Sequence, residues 1–254
     1  MQNLLSASSI SFYYDDSSWC FKELSFEIKR GEVLAILGLN GQGKSTLLNC
    51  LIGLINPKSG TIKQNATYAF LPQSFSLSFD YSCLDVVVMG RARDISVFST
   101  PSISDRQIAT DAMKLLGISE LAKAKFNSLS GGQKQLVLFA RAVASRSDVL
   151  FLDEPASALD LKNQDKILSL ISKLKSGLDG KKTSIVFTTH QPTHALAVAD
   201  KTLVLLPDLS YAFGKTDEIL SENTLRNLYN INIKEVDIDD IKTLAQIFSV
   251  QVNK

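Results

Sequence analysis

The stretch that decides the fold is VLAILGLNGQGKST, residues 33 to 46. Its first five residues, Val33–Leu37, are continuously apolar, which is typical of a parallel strand covered on both faces. The next nine, GLNGQGKST, fit the pattern G-x-x-x-x-G-K-[ST] of a phosphate-binding loop. Glycines allow successive backbone N–H groups to turn toward an anion, and the predicted following helix points its positive dipole end there. The sequence therefore predicts a site for the phosphates of a nucleoside triphosphate.

Two side chains of this loop carry the predicted chemistry. Lys44 can reach the β- and γ-phosphates, and the Ser45 hydroxyl can ligate Mg²⁺. The other predicted contacts of the loop are Gly38, Asn40, Gly41, Gly43 and Thr46. A glycine turn without a ligand is the simpler alternative, but at average residue frequencies the pattern arises by chance in roughly one such chain in a hundred.

Composition limits the classes of partner. The chain of 254 residues is 45% hydrophobic, and its net charge of only +1 gives no global case for a nucleic-acid or anionic-membrane partner, while composition leaves a local basic patch open. The three cysteines (Cys20, Cys50 and Cys83) lack metal-ligand spacing and are expected to be reduced thiols. No apolar run approaches the length of a membrane span, and the N-terminus does not resemble a secretory signal. We expect a chain that does not cross a membrane by itself.

Apolar runs alternate with helical patterns along the chain. Val149–Leu152 and Ile185–Phe187 are continuously apolar, whereas Leu24–Ile28 alternates as a half-buried strand does. From about residue 74 to 145 the pattern is helical, with a capping box predicted at Ser104-x-x-Gln107. This order predicts an α/β fold with a mainly parallel sheet. We predict one domain over 1–254, with a catalytic core at 1–73 and 146–254 and a helical subdomain at 74–145.

An acidic pair, Asp153 and Glu154, ends the apolar strand VLFL. A carboxylate at the end of a buried strand is costly unless it serves a cation, here Mg²⁺. The second carboxylate can act as a general base toward an attacking water. An acidic helix start after a strand is the alternative, which the phosphate loop in the same chain disfavours.

The run Ser130-Gly131-Gly132-Gln133 opens a strongly helical stretch, KQLVLFARAVAS. Ser130 is a good N-cap, and the two glycines leave backbone N–H groups bare at the predicted helix N-terminus. The segment is either a second anion site or a simple glycine-rich helix start.

Together these motifs resemble, over essentially the whole chain, the nucleotide-binding subunits of ABC (ATP-binding cassette) transporters. GLNGQGKST resembles that family's Walker A motif, LSGGQ its signature motif and VLFLDE its Walker B motif. FLPQ with Gln73 resembles the Q-loop, SALD with Asp160 the D-loop, and FTTHQP with His190 the switch histidine. Tyr14 corresponds to the aromatic residue that stacks on adenine, and Tyr13 is the adjacent alternative.

The resemblance implies a P-loop NTPase (RecA-like) core with an antiparallel β-subdomain and an inserted α-helical subdomain. It also implies a head-to-tail homodimer, in which each ATP lies between Walker A of one subunit and LSGGQ of the other. Lys44 and Ser130 would then hold the γ-phosphate, Glu154 would activate water, and His190 would hold the γ-phosphate and orient that glutamate. The implied catalytic residues are Glu154, His190 and Gln73; the implied Mg²⁺ ligands are Ser45, Gln73 and Asp153; the implied nucleotide contacts are Tyr14, Gly38, Asn40, Gly41, Gly43, Lys44, Ser45, Thr46, Ser130, Gly131, Gly132, Gln133 and Asp160.

The segment DVVVMGR, Asp85–Arg91, and the tail GKTDEILSENTLRNLY resemble importers of iron-siderophores, haem, vitamin B12 (cobalamin) and molybdate or tungstate. This implies an ATPase held peripherally on the cytoplasmic face of the inner (plasma) membrane. Its partners would be a permease dimer and, indirectly, a periplasmic or lipoprotein substrate-binding protein, with no nucleic acid. In that family the region near residues 73–91 docks a coupling helix of the permease. A soluble ABC ATPase scaffold, such as the iron–sulfur cluster assembly type, is the alternative.

Overall fold

The structure, a computed structural model, describes residues 3–15, 18–157, 159–177, 180–239 and 241–247. The chain divides into two compact units, one of Met1–Gln64 with Thr188–Lys254 and one of Asn65–Phe187. Strands and helices alternate along much of the chain, as the sequence predicts for an α/β P-loop NTPase. The division into a catalytic core and a helical subdomain at the predicted boundaries stays a prediction.

The first unit begins with an antiparallel sheet and the strand of the phosphate loop. Its elements in chain order are β1 (Asn3–Tyr13), β2 (Trp19–Lys29), β3 (Val33–Leu37), α1 (Lys44–Leu51) and β4 (Ser59–Gln64). Strands β2, β1 and β4 pair antiparallel in that order, which confirms the predicted antiparallel β-subdomain. On β2 the side chains of Leu24, Phe26 and Ile28 are buried and that of Ser25 is exposed, as the alternating pattern predicts.

The second unit combines three parallel strands with a run of helices. Its elements are β5 (Tyr68–Leu71), α2 (Cys83–Val88), a 3₁₀ helix (Met89–Asp94), α3 (Ile103–Leu115), short 3₁₀ helices (Ser119–Leu121 and Phe126–Ser128), α4 (Gly131–Ala144), β6 (Val149–Leu152), α5 (Leu161–Ser176) and the start of β7 (Ser184–Thr189). Strand β6 pairs parallel with β5 on one side and β7 on the other. All four residues of β6 are buried, which fits its continuously apolar sequence.

The remaining elements return to the first unit. They are α6 (Pro192–Val198), β8 (Lys201–Leu205), β9 (Tyr211–Lys215), α7 (Thr216–Ile219), α8 (Glu222–Tyr229), β10 (Asn232–Ile238) and β11 (Ile241–Ile247). Strand β8 pairs parallel with the buried β3 and antiparallel with β9, and β10 with β11 forms a hairpin. Within the described ranges, no helix has the length and apolar character that a membrane span requires.

The capping box predicted at Ser104 and Gln107 is wrong, because α3 starts earlier. Ser102 is the N-cap; its hydroxyl accepts a hydrogen bond from the Asp105 N–H at 3.2 Å, and the Asp105 carboxylate accepts one from the Ser102 N–H at 3.0 Å. Asp105 also pairs with Arg91 at 3.1 Å. A carboxylate in the first turn interacts favourably with the positive end of the helix dipole. The ion pair with Arg91 also favours the helix start at Ser102, and local sequence does not reveal it because it is a tertiary contact.

Candidate nucleotide-binding site

The phosphate loop joins a strand and a helix of the first unit. Strand β3 is buried along its whole length and ends at Leu37, and α1 begins at Lys44. Gly43, just before the helix, has φ of +78°, and a Cβ atom there would lie 3.1 Å from both the Cβ and the carbonyl oxygen of Cys20. A side chain is therefore disfavoured by both conformation and space. Among the described residues no side chain caps the first turn of α1, so that helix end is suited to an anion.

Lys44 is buried and folds back over this loop. Its Nζ donates hydrogen bonds to the carbonyl oxygens of Gly38 and Leu39, each at 3.0 Å. The Gln42 side chain closes the loop further, because its Oε1 accepts a hydrogen bond from the Leu39 N–H. Ser45, on the first turn of α1, is half-buried. The loop thus holds a positive charge in place, where the sequence predicts the phosphates to bind.

Tyr14, rather than Tyr13, contacts the phosphate-loop helix. The hydroxyl groups of Tyr14 and Thr46 are 3.1 Å apart, within hydrogen-bond distance. The Tyr14 ring is nevertheless 68% exposed, with Phe12 edge-on at 5.0 Å between ring centroids. Tyr13 instead packs against Trp19 and lies under the ammonium of Lys58 at 4.9 Å. Of these two tyrosines, Tyr14 is therefore the one with an exposed ring and a hydroxyl next to the phosphate-loop helix.

His190 lies between β7 and α6 in the first unit, and its backbone is held by a residue that sequence reasoning missed. The hydroxyl of Tyr229, the last residue of α8, donates a 2.6 Å hydrogen bond to the His190 carbonyl oxygen. Burial raises the pKa of Tyr229, which keeps that hydroxyl protonated as a donor. Tyr229 ends the tail segment GKTDEILSENTLRNLY, but that resemblance assigns it no role. Its contact with His190 spans 39 positions in sequence, so only the structure identifies the contact.

His194 lies on α6, close to His190, and is buried. Its pKa is lowered, first by burial and then by the charge of His190. The HxxxH spacing of the two residues is also found at metal sites. No group of three or more His, Cys, Asp or Glu residues able to hold a metal ion occurs in the described part of the chain.

In the second unit, the predicted Q-loop and Walker B residues lie at the same edge of the parallel strands. Leu71 of β5 pairs with Leu152 of β6; Asp153 comes directly after Leu152, and Gln73 lies two residues after Leu71. The Asp153 N–H donates to the Leu71 carbonyl at 2.8 Å, which extends the pairing by one step. Asp153 is 5% exposed, whereas Gln73 is exposed. A buried carboxylate and an exposed amide therefore share one strand edge.

Glu154 has an unusual backbone conformation. Its φ is +47°, in the left-handed region that residues with side chains seldom occupy, and the residue is only 7% exposed. Its carbonyl oxygen accepts hydrogen bonds from Ser157, at 3.2 Å from N and at 3.0 Å from Oγ. Such conformations persist where the surroundings enforce them and are concentrated at functional sites.

The predicted signature segment forms the exposed start of α4. Ser130 is its N-cap; its Oγ accepts from the Gln133 N–H at 3.3 Å, while Gln133 Oε1 accepts from the Ser130 N–H at 3.1 Å. This capping box confirms Ser130 as the helix start. Ser130, Gly131 and Gln133 are exposed and Gly132 is half-buried. The positive end of a 14-residue helix therefore faces outward.

Asp160, the predicted D-loop residue, caps a helix. It is the N-cap of α5, and its Oδ1 accepts a hydrogen bond from the Asn163 N–H at 2.8 Å. The residue is exposed. The structure shows the capping role of Asp160, and this role does not prevent the residue from also contacting a nucleotide.

The fold and the phosphate loop define a P-loop nucleotide-binding protein. A family model described as ABC transporter matches residues 21–157. The molybdate import ATP-binding protein MolC of Haemophilus influenzae is 45% identical over 92% of this chain and 91% of its own. The chain thus belongs to the ABC transporter family and is an ATPase of the ATP-binding cassette type.

Two solved structures extend this comparison. The structure of a metal-chelate type ABC transporter in an inward-facing conformation matches with a TM-score of 0.88 and 41% identity over 98% of both chains. A dimeric ATP-binding cassette in a post-hydrolysis state, bound to ADP and phosphate, matches with a TM-score of 0.73 and 26% identity, over 84% of this chain and 98% of that one.

Proposed function

We propose that this chain is the ATPase subunit of an importer for molybdate or a related metal-containing solute. The observation that carries the proposal is the 45% identity, over nearly all of both chains, to a molybdate import ATP-binding protein. Relatives described as haem import and iron chelatin transport subunits are each 34% identical. The chain itself handles ATP, and the cargo is bound by its partners.

In the first unit, we assign nucleotide binding to the phosphate loop and Tyr14. Backbone N–H groups between Gly38 and Thr46 bind the phosphate oxygens, and Lys44 supplies the compensating charge. Its ammonium group exchanges the carbonyls of Gly38 and Leu39 for phosphate oxygens when ATP enters. The exposed ring of Tyr14 stacks on the adenine, while its hydroxyl stays close to the Thr46 side chain.

We assign hydrolysis to Glu154, supported by its burial and its strained backbone. Its carboxylate accepts a proton from the water that attacks the γ-phosphorus, and ADP leaves. His190 contacts the γ-phosphate. We assign Mg²⁺ binding to Ser45, Gln73 and Asp153, because hydroxyl, amide and carboxylate oxygens are the hard donors that this ion prefers. Mg²⁺ would neutralise charge on the phosphates.

We assign the exposed start of α4 to a second copy of the chain. Ser130, Gly131, Gly132 and Gln133 offer a helix dipole and N–H groups to the γ-phosphate bound by the partner subunit, and Asp160 contributes at the same interface. A homodimer arranged head-to-tail then contains two equivalent sites. The dimer attaches peripherally to a membrane permease on the cytoplasmic side.

A combined purification and uptake experiment tests this proposal. The chain, tagged at its C-terminus, is purified from detergent-solubilised membranes of its source cell, and co-purifying proteins are identified by mass spectrometry. We expect a polytopic permease, and loss of labelled molybdate uptake in a deletion strain, restored by the wild-type gene but not by Glu154→Gln. Recovery of soluble partners alone, with normal uptake in the deletion strain, would instead support the iron–sulfur scaffold alternative.

A further inference from the structure

Thr46 is a buried polar residue in the first turn of α1, and only 8% of it is exposed. Its hydroxyl oxygen lies 3.1 Å from the hydroxyl oxygen of Tyr14, the residue that directly follows β1. Its side chain also forms a hydrogen bond with the thiol of Cys20, near the start of β2. One hydroxyl of the phosphate-loop helix therefore contacts both of these strand ends within the first unit.

The directions of the two hydrogen bonds follow from the single proton of the Thr46 hydroxyl. Burial raises the pKa of the Cys20 thiol, whereas the hydrogen bond with Thr46 acts to lower that pKa. A hydrogen bond has this effect when it stabilises the thiolate, so Thr46 is the donor to the sulfur. Because a hydroxyl has one proton and two acceptor lone pairs, the Thr46 oxygen then accepts from Tyr14. Donation thus runs from Tyr14 to Thr46 and from Thr46 to Cys20.

Cys20 also packs against the backbone of the phosphate loop. A Cβ atom at Gly43 would lie 3.1 Å from both the Cβ atom and the carbonyl oxygen of Cys20. Gly43 directly precedes α1, and β2 is held to β1 by pairing of Trp19 with Tyr13. The sulfur that accepts from Thr46 therefore belongs to a residue whose backbone contacts both the sheet and the loop.

The Tyr14 ring depends on its hydroxyl for a fixed position. The ring is 68% exposed and packs edge-on against Phe12, with 5.0 Å between the ring centroids. Exposed side chains change rotamer within nanoseconds unless a contact restrains them. The hydrogen bond to Thr46 restrains the outer end of the ring. The position of the ring relative to α1 is therefore set through Thr46.

A nucleotide needs a defined distance between these two parts of the site. Its base and its phosphates are joined covalently through the ribose, so a stacking ring and a phosphate loop can bind both only at a matching separation. Fixing that separation before the ligand arrives lowers the conformational cost of binding. Contacts between the Tyr14 segment and α1 are therefore expected to affect ligands that contain a base.

We propose that Thr46 and Cys20 are positioning residues for base recognition, which hold the Tyr14 ring at the distance from the phosphate loop that one nucleotide spans. We call Tyr14, Thr46 and Cys20 the brace. The inference deepens the proposed function and rests on it in one respect, because it takes the Tyr14 ring as the group that stacks on adenine. A ligand with phosphates but no base is insensitive to the Tyr14 end of the brace.

The decisive measurement is calorimetric titration of the full chain with ADP, which contains the base, and with inorganic pyrophosphate, which lacks it. Tyr14→Phe removes the hydroxyl and keeps the ring, and Tyr13→Phe is the matched control. We expect Tyr14→Phe to raise the ADP Kd about threefold to tenfold, as loss of one hydrogen bond does, with the pyrophosphate Kd within about twofold of wild type. Tyr13→Phe should change neither value. An unchanged or lower ADP Kd in Tyr14→Phe would overturn the proposal.

A double-mutant cycle tests whether Tyr14 acts through Thr46. Thr46→Val keeps the shape of the side chain and removes its hydroxyl. In that background we expect Tyr14→Phe to raise the ADP Kd by less than about twofold, because the hydrogen bond is already absent. If Tyr14→Phe has its full effect in the Thr46→Val background, the two hydroxyls act independently and the proposal is wrong.

Cys20 is tested by a substitution that retains an acceptor. We expect Cys20→Ala to raise the ADP Kd about threefold and Cys20→Ser to stay within about twofold of wild type, because serine offers an oxygen to Thr46. An equal loss of ADP binding in both variants would contradict the positioning role of Cys20. An equal loss of ADP and pyrophosphate binding in Cys20→Ala would do the same, because it would show a disturbed phosphate loop.

Tyr14→Ala separates failure of the brace from failure of the proposed stacking. If Tyr14→Ala weakens ADP binding while Tyr14→Phe binds ADP as wild type does, the stacking assignment stands and the brace is wrong. Wild-type ADP binding by Tyr14→Ala would overturn the stacking assignment, and the brace with it. Pyrophosphate binding by the same variant reports separately on the phosphate loop.

Discussion

At the scale of single residues, Glu154 combines burial with a backbone conformation that residues with side chains seldom adopt. Replacing its carboxylate by an amide preserves size and removes the base. We predict that Glu154→Gln retains ATP binding but lowers kcat at least about a hundredfold, in the range that general-base removal typically produces. Phosphate release and equilibrium ATP binding are the measurements, with exposed Glu120→Gln as control. Hydrolysis at the wild-type rate would exclude Glu154 as the base.

Tyr229 offers a test at the level of one hydroxyl group. Tyr229→Phe removes the donor to the His190 carbonyl and leaves the ring in place. Because the histidine then loses a backbone restraint, we predict a kcat decrease of about threefold to tenfold with little change in KM. Tyr211→Phe is the matched control, since that hydroxyl accepts from the Ser25 backbone N–H in the same unit. Equal kcat in both variants would show that the Tyr229 contact has no role in turnover.

His194 predicts a pH dependence of stability. Burial lowers its pKa in the folded protein below the ordinary value of 6.5, so the unfolded chain binds the proton more strongly. Well above pH 6.5 this difference in proton binding makes no contribution to the unfolding free energy. As the pH falls through that value, protonation of the unfolded chain destabilises the folded state. We predict that His194→Gln flattens the decrease in unfolding free energy between about pH 7.5 and about pH 5.5. Urea unfolding at several pH values measures it; an unchanged slope contradicts the assignment.

At the scale of secondary-structure elements, Asp160 has a proposed nucleotide role and an observed capping role that can be separated. Asp160→Ala removes the acceptor for the Asn163 N–H, which we predict lowers the unfolding free energy by about 1 kcal/mol. Asp160→Asn keeps a capping oxygen, so its stability should stay near that of wild type. If its ATPase rate nevertheless falls, the charge matters beyond capping. Equal rates in Asp160→Asn and wild type would leave capping as the role.

Elements with a complete local signal were predictable from sequence. The continuously apolar strands β3, β6 and β7 are buried as expected, and Ser130 begins its helix because serine, two glycines and glutamine form a local capping pattern. The sequence alone does not identify the start of α3, because Ser102 and Ser104 are both plausible caps. The Asp105–Arg91 pair, which accompanies the observed register, is a tertiary contact.

Features made by distant residues were not predictable. The Tyr229 contact with His190 joins two segments that carry no common pattern, and the approach of Gly90 to Arg141 depends on how two helices pack. The left-handed conformation of Glu154 likewise has no signal in the sequence DEP. Each of these three features depends on tertiary contacts, whereas the spacing of residues in a motif indicates only local structure and chemistry.

At the scale of the whole molecule, the exposed N-terminus of α4 and the proposed head-to-tail dimer predict ATP-dependent association. Glu154→Gln should bind ATP without consuming it, so we expect this variant to shift from monomer to dimer when ATP and Mg²⁺ are added, measured by light scattering after size exclusion. ADP should not produce the shift, because the γ-phosphate is the group that both subunits would hold.

Two substitutions, each added to Glu154→Gln, test whether this association uses the phosphate loop of one subunit and the start of α4 of the other. Adding Lys44→Ala should abolish the dimer by weakening ATP binding. Adding Ser130→Arg should abolish it while leaving ATP binding intact, because the change adds bulk at an exposed position assigned to the partner's nucleotide. Each double variant keeps one of the two predicted surfaces intact. Mixing Glu154→Gln with Lys44→Ala and Glu154→Gln with Ser130→Arg therefore tests the head-to-tail arrangement. The first supplies a normal helix start and the second a normal loop, which restores one composite site of two. Weak dimerisation of the mixture, with none by either variant alone, is the expected result; equal dimerisation by the Ser130→Arg variant alone would place the contact elsewhere.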